Sequence, residues 1–313
     1  MSLLSMRYEP LNRWLLKSAL GRKVAILMFC ATFLGLLTFP QSTSAPASKD
    51  QSDLFDRVIA NQKRTESALD VYERIERVEI RKSGSDANPF EVKAWRVFPA
   101  GTGMDKISLG PGDKPANLEN YRAELEKLEK QLVWAAQRGP AQQEAYAKLE
   151  RKRKERNELL NSTHDAFLFA LVGHEVRGDR SLAKYTMSPN PKYKPTNRNT
   201  TLFTKVSGTL WIDVQSSELA KIEGHVTEDI SLALFVAKVY KGSYFMQERY
   251  EIAPGIWLPT FQQYDFDGRK FLLPFSIHER SFYTSYRRVG PPKEAREIVL
   301  SELSKGAGER ADP

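Results

Sequence analysis

The 313-residue chain has one cysteine, Cys30, and only four histidines, His164, His174, His225 and His278. Cys30 lies within an apolar run, after Phe29 and before Ala-Thr-Phe-Leu. A lipidated cysteine wants a small residue before it and a polar chain after it, so Cys30 is not expected to carry an acyl group. With no other cysteine, the rest of the chain has no disulfide, thiol nucleophile or cysteine-held metal to draw on. The histidines make no His-x-x-x-His or His-Glu-x-x-His pair, and no metal site is expected. There is no Gly-x-Ser-x-Gly elbow for a hydrolase nucleophile. Gly101, Gly103 and Gly110-Pro-Gly-Asp-Lys114 lead into no Gly-Lys-Ser/Thr helix start, which argues against a phosphate loop. Carboxylate pairs such as Glu76/Glu79, Glu228/Asp229 and Asp265/Asp267 fall on strand edges and turns rather than around a cleft. The expectation is a non-enzyme with no cofactor.

Long apolar runs are equally scarce. The longest, the sixteen residues Val24–Phe39, follows a basic stretch of Arg7, Arg13, Lys17, Arg22 and Lys23 and precedes Ala45-Pro46-Ala47. As a helix it spans about 24 Å, short of the ~20 residues that a bilayer usually requires. Residues 1–47 are therefore read as an export signal cut after Ala47, or as an uncleaved anchor if flanking residues lengthen the span. The expected location is the periplasm, free or tethered to the inner membrane. Five basic residues and one acid lie in this segment, so the net charge of +8 falls to +4 after cleavage. That is compatible with an anionic membrane surface and too weak to indicate nucleic acid.

Periodicity divides the remainder. Asp53–Val71 has helical spacing, with Leu54, Val58, Ile59, Ala68 and Leu69 as apolar positions and Asp53 as a cap. Alternation in Arg77–Arg81 and Phe90–Phe98 reads as a hairpin, and Gly101–Pro115 as a loop; together 48–112 forms the first unit. Leu118, Tyr121, Leu125, Leu128 and Leu132 mark a helix, Arg138-Gly139-Pro140 stops it, and a charged helix follows over 141–160. Residues 113–163 are thus expected to be an inserted helical hairpin. From 164 to 290 the pattern is strand and turn, with Asp267-Gly268 read as a tight hairpin turn. The sharpest signal is Gly208–Gly224. Leu210 and Ile212 share one face of a strand, Trp211 and Asp213 the other, and Gln215-Ser216-Ser217 turns the chain into a second strand. Residues 291–313 form a tail that begins as a helix. The count is about nine or ten strands.

The aromatic residues cluster on these strands. An outward Trp211 requires a cover, and more aromatic surface is present than one buried face needs, which points to an apolar cavity between sheet and helices. Trp95, Phe169, Trp211, Phe235, Phe245 and Trp257 are the candidate lining. The densest basic run, Arg151-Lys152-Arg153-Lys154, is the candidate contact for anionic headgroups or a protein partner.

The opening helix, the Leu210-Trp211-Ile212-Asp213 hairpin and Ala253-Pro254-Gly255-Ile256-Trp257-Leu258-Pro259 resemble the outer-membrane lipoprotein-sorting protein family. This is the LolA/LolB-like fold, which includes RseB-type envelope sensors. The likeness spans about residues 52–287 without 113–163. It implies an α+β protein: a strongly curved antiparallel sheet forming an unclosed β-barrel of about 9–11 strands, with helices on its concave side and the helical hairpin inserted. It also implies a cavity that holds a lipid or lipoprotein acyl chain. The charged hairpin and the extended basic segment depart from that family, and no residue matches the arginine on which its lid closes. The alternative is an envelope scaffold or stress sensor acting through the hairpin.

Overall fold

A computed structural model of the chain describes residues 49–85, 88–196, 199–232, 237–271 and 273–308. The expected signal segment 1–47 and Phe235 lie outside these residues.

A twelve-stranded antiparallel sheet dominates the structure. In chain order its strands are β1 (Tyr72–Arg81), β2 (Glu91–Pro99), β3 (Met104–Leu109), β4 (Phe167–Arg177), β5 (Arg180–Pro189), β6 (Val206–Asp213), β7 (Leu219–Val226), β8 (Ile230–Leu232), β9 (Ala237–Val239), β10 (Tyr244–Ala253), β11 (Ile256–Lys270) and β12 (Leu273–Arg288). They lie in the order β3-β2-β1-β12-β11-β10-β7-β6-β5-β4, with β8 and β9 attached to β11. The two ends, β3 and β4, do not pair, so the sheet is not closed. Among the described residues four α-helices accompany it: α1 (Lys49–Ala68), α2 (Leu118–Ala135), α3 (Pro140–Ala166) and α4 (Pro292–Gly308). This is the α+β, unclosed arrangement expected from the sequence.

Strand alternation gives the sheet two chemically distinct faces. Its inner face carries the main apolar cluster, in which Phe55 and Val58 of α1 meet Tyr185, Leu210, Ile212, Ile222, Phe245 and Phe266. Its outer face, at β1–β3, carries a second cluster of Phe98, Ile107, Leu125, Leu128, Leu132, Val289, Ala295 and Val299. Leu125, Leu128 and Leu132 recur at three and four residues, which turns one stripe of α2 onto that cluster. The Asn117 side chain caps α2 by accepting from the Asn120 amide at 2.8 Å.

The two consecutive helices therefore serve opposite faces. α2 packs with α4 on the outside, where Arg296 Nε donates to Glu129 at 2.7 Å. α3 lies along α1, with Arg156 on Glu66 at 3.1 Å and Arg153 on Asp70. α1 is itself pinned across the sheet. Gln51 donates to the Phe169 carbonyl at 2.9 Å, Asn61 to the Ser217 carbonyl at 2.9 Å, and Thr65 to the Trp257 carbonyl at 3.1 Å.

Two local expectations need correction. The glycine-rich stretch 101–115 contains β3, an edge strand that pairs with β2 from Ala94↔Leu109 to Pro99↔Met104. Asp267-Gly268 is not a turn but continues β11, opposite Ser276 and Phe275. Its glycine serves close approach. β9 crosses here, and a Cβ on residue 268 would stand 2.1 Å from the Lys238 carbonyl oxygen. The reversal comes later, at Phe271, which holds a left-handed φ of 55°.

Candidate functional site

The inner face changes character from one end of the sheet to the other. One cross-strand ladder runs Glu279–Tyr264–Phe245–Gly224–Gly208–Met187–Phe169, from β12 to β4. At the β4–β7 end it is apolar and filled by α1: the Phe55 ring stacks on Phe169 at 3.9 Å and meets Tyr185 edge-on at 5.4 Å. At the β12–β1–β2 end the same face is polar and aromatic. There a second ladder places Trp95, Glu76 and Tyr283 side by side.

Two neighbouring bulges shape the polar end. Glu73 pairs with Arg287 but Ile75 with Thr284, so Ser285 and Tyr286 together oppose Arg74. Ser285 takes a φ of 53°, a left-handed conformation that non-glycine residues rarely adopt. On β11, Phe261 pairs with Glu248 but Pro259 with Arg249, leaving Thr260 as the extra residue. Each bulge shifts the alternation by one, which is how a sheet re-aims a side chain. The Ser285 bulge thereby brings Tyr286 to the face of Tyr283 and Arg74, while Arg249 stands on that face by plain alternation from Phe245 and Gln247. The Tyr286 hydroxyl donates to the Pro259 carbonyl at 2.5 Å.

Tyr264, Tyr283 and Tyr286 are half-buried. Burial drives the Tyr264, Tyr283 and Tyr286 phenols well above their usual range, with Glu76 adding to the effect on each. They are neutral donors at any physiological pH. Tyr283 and Tyr264 both reach the Gln262 carboxamide oxygen, at 2.7 and 3.3 Å. Lys106 bonds Glu76 at 2.5 Å and lies 4.7 Å over the Trp95 ring. Arg74 lies 5.6 Å over the Tyr283 ring. Glu279 is pushed above its usual value by burial.

Arg249, 4% exposed, donates to Gln247 at 2.7 Å. Burial pulls its guanidinium down to about 10 against the opposing pull of Glu66 and Glu218. Gln62 of α1 is also 4% exposed, and neither atom of its carboxamide has a hydrogen-bond partner among the described residues. The same holds for Arg74 Nη1. Buried polar groups are nearly always matched, by protein or by ordered water, so these atoms call for a polar partner beyond the described side chains.

The residues singled out in the sequence divide between the faces. Trp95, Phe169 and Phe245 stand on the inner face, Phe245 within the apolar cluster and Trp95 at the polar end. Trp211 projects from the opposite face to Leu210 and Ile212. It packs with Leu182, Ala220 and Trp257, lies between Lys184 and Lys221 at 4.9 and 4.7 Å, and donates to Glu175 at 2.7 Å. The cover that this outward Trp requires is supplied by the protein's own side chains. Trp257 belongs to that separate cluster, under Arg180 at 4.9 Å. In the basic run, Arg151, Lys152 and Lys154 are exposed, and Arg153 is held by Asp70 and Glu150.

Among the described residues, no group of three or more His, Cys, Asp and Glu is placed to hold a metal. No helix of these residues is long and apolar enough to cross a membrane. A surface depression on α2 is lined by residues of that helix alone, Trp134 and Lys130 among them, and has no converging wall.

No family model matches the chain, and no curated protein matches it. Among solved structures it is similar to a LolA superfamily protein from Nitrosomonas europaea, at 8% identity and a TM-score of 0.28, over 76% of this chain and 95% of that one. A DUF1329 family protein from Desulfovibrio piger matches at 10% identity and 0.27, over 75% and 92%. A domain assigned to outer membrane lipoprotein sorting from Vibrio parahaemolyticus matches at 8% and 0.27, over 78% and 99%. Superpositions this loose carry no argument about ligand or activity, which rest on the chain's own residues.

Proposed function

We propose that this protein is a non-catalytic carrier of the cell envelope that binds a lipid, or the acyl portion of a lipoprotein, on the inner face of its half-barrel. The supporting observation is the gradient along that face, from the Phe55–Phe169 apolar end to the Trp95–Tyr283–Arg74 polar end. An amphiphile needs both surfaces in one continuous groove. The acyl chain takes the place that Phe55 and its neighbours on α1 now occupy, and the head lies among the tyrosines. Such a displacement must break the hydrogen bonds of α1 to the Phe169, Ser217 and Trp257 carbonyls. The ties to α3, Arg156–Glu66 and, just past the end of α1, Arg153–Asp70, are partly exposed ion pairs that water and salt weaken. The exposed Arg151, Lys152 and Lys154 favour contact with anionic headgroups during loading.

Uptake of a fluorescent long-chain fatty acid tests the reading directly. Saturable binding near one equivalent, displaced by unlabelled lipid, is expected. Absence of uptake across chain lengths would remove the carrier reading and leave the scaffold alternative.

A further inference from the structure

The β11–β12 hairpin closes in a way that its own residues do not favour. Lys270 pairs with Leu273, so the sequence gives the reversal two residues, Phe271 and Leu272. Two-residue hairpin loops favour Asn-Gly and other glycine pairs, because the backbone there turns left-handed. Phe271 instead holds a φ of 55°, a strained conformation for a bulky side chain, and is 62% exposed. Leu273 is 56% exposed. Neither belongs to an apolar cluster of the described residues. Strain and apolar exposure that the fold does not use point to a partner outside it.

The chemistry around the tip identifies that partner. Arg269 and Lys270 lead directly into Phe271. Lys238, bonded to Asp229 at 2.7 Å, stands opposite Arg269 on β9, and just past β9 Tyr240 and Lys241 are exposed. Apolar side chains at the point, with bases and a tyrosine behind them, match the layers of a bilayer surface: acyl chains, then anionic headgroups. A stable protein interface buries about 800 Å² on each side, more than the end of one hairpin offers. α1 runs from Gln51, on the Phe169 carbonyl near the start of β4, to Thr65, on the Trp257 carbonyl at the start of β11. It therefore begins on the side of the sheet from which the tip projects. Nine residues, 40–48, separate Lys49 from the apolar run 24–39. Extended, they span about 30 Å, so a chain anchored by that run holds this side of the sheet toward the bilayer. We propose that the β11–β12 tip is a membrane contact, in which Phe271 and Leu273 enter the boundary between acyl chains and headgroups and Arg269 and Lys270 meet lipid phosphates. The exposed bases of α3 stand at the other end of α1, beside Asp70, and do not share this contact. The contact sets the orientation of the half-barrel on the membrane and holds whatever the inner face carries.

The test uses the full chain with Cys30→Ser and one new cysteine that carries an environment-sensitive fluorophore. The cysteine is placed at the tip as Leu273→Cys, or at the opposite end of the sheet, in the β6–β7 turn, as Val214→Cys, where the native side chain is also exposed. On vesicles of phosphatidylethanolamine and phosphatidylglycerol, the label at 273 should shift to the blue and be quenched by a nitroxide-bearing lipid. The label at 214 should do neither. High salt should weaken the response at 273. Adding Phe271→Gly should reduce that response by at least about half while leaving the melting temperature unchanged or higher, because glycine accepts the left-handed φ without strain. No response at 273, equal responses at 273 and 214, or a response at 273 that survives Phe271→Gly would overturn the contact. A lower melting temperature in Phe271→Gly would also overturn it, by showing that the ring serves the fold.

Discussion

Glu73 and Arg74 are consecutive residues of β1 that project from opposite faces of the sheet, and their two surroundings differ in one respect. On the outer face, Glu73 belongs to a closed network around Arg96. Arg96 donates through Nε to Glu73 at 2.7 Å, and through Nη1 to Tyr121 at 2.8 Å and to Glu302 at 2.6 Å. Arg287 bonds both Glu73 and Glu302. This network joins β1, β2, β12, α2 and α4, and burial of Arg96 is outweighed by Glu302 and Glu73, so its charge is held more firmly than in water. On the inner face, Arg74 Nη1 is buried and has no hydrogen-bond partner among the described residues. A saturated network is a structural device. An unsaturated one, next to two bulges and a strained Ser285, has the features of a binding site.

That contrast can be broken by measurement. The largest effect belongs to the outer network. Arg96→Met leaves Glu73 and Glu302 without their main partner and should cost about 3–5 kcal/mol in urea unfolding. Phe55→Ala at the apolar inner end should cost about 3 kcal/mol by leaving a cavity against Phe169 and Tyr185, while speeding uptake of a fatty acid. Unchanged uptake would place the acyl chain elsewhere.

The pH dependence of stability should differ in sign between the faces. Burial opposes the Glu302 charge, but Arg96 and Arg287 hold its carboxyl below 4.5, so its stabilisation is full above 4.5 and is lost as pH falls through the lower folded value. Glu279 on the inner face is the reverse case. Burial raises it above 4.5, so its charge penalises folding at neutral pH and the penalty is relieved as pH falls through the raised value. Glu302→Gln should therefore flatten the acid limb of a denaturation series, and Glu279→Gln should stabilise at pH 7 and not at pH 4. The smallest effect is expected at Arg74. Arg74→Met should change stability by less than about 1 kcal/mol, because no closed network is opened; a loss equal to that of Arg96→Met would abolish the distinction.

Much of the frame was legible from periodicity. The α1 stripe, the Leu125-Leu128-Leu132 stripe and the 208–224 hairpin each bury one face by simple spacing. The outward placement of Trp211 also follows from alternation. β3 was hidden by the glycines and prolines around it, because an edge strand pairs on one side only and tolerates them. Asp267-Gly268 misled because the glycine answers to a crossing strand that no local pattern reveals. The candidate site was less legible still. Its members are polar residues on the buried face, Glu76, Gln262, Tyr264 and Tyr283, and they imitate an exposed strand. Tyr286 joins them only through the bulge at Ser285, which breaks the period-two pattern by which a sequence is read.

The central claim is that the inner face carries a lipid, and native mass spectrometry of the full protein isolated gently from its own cells tests it most directly. A species heavier than the bare chain by the mass of one lipid is expected. A bare chain mass in every preparation would contradict it.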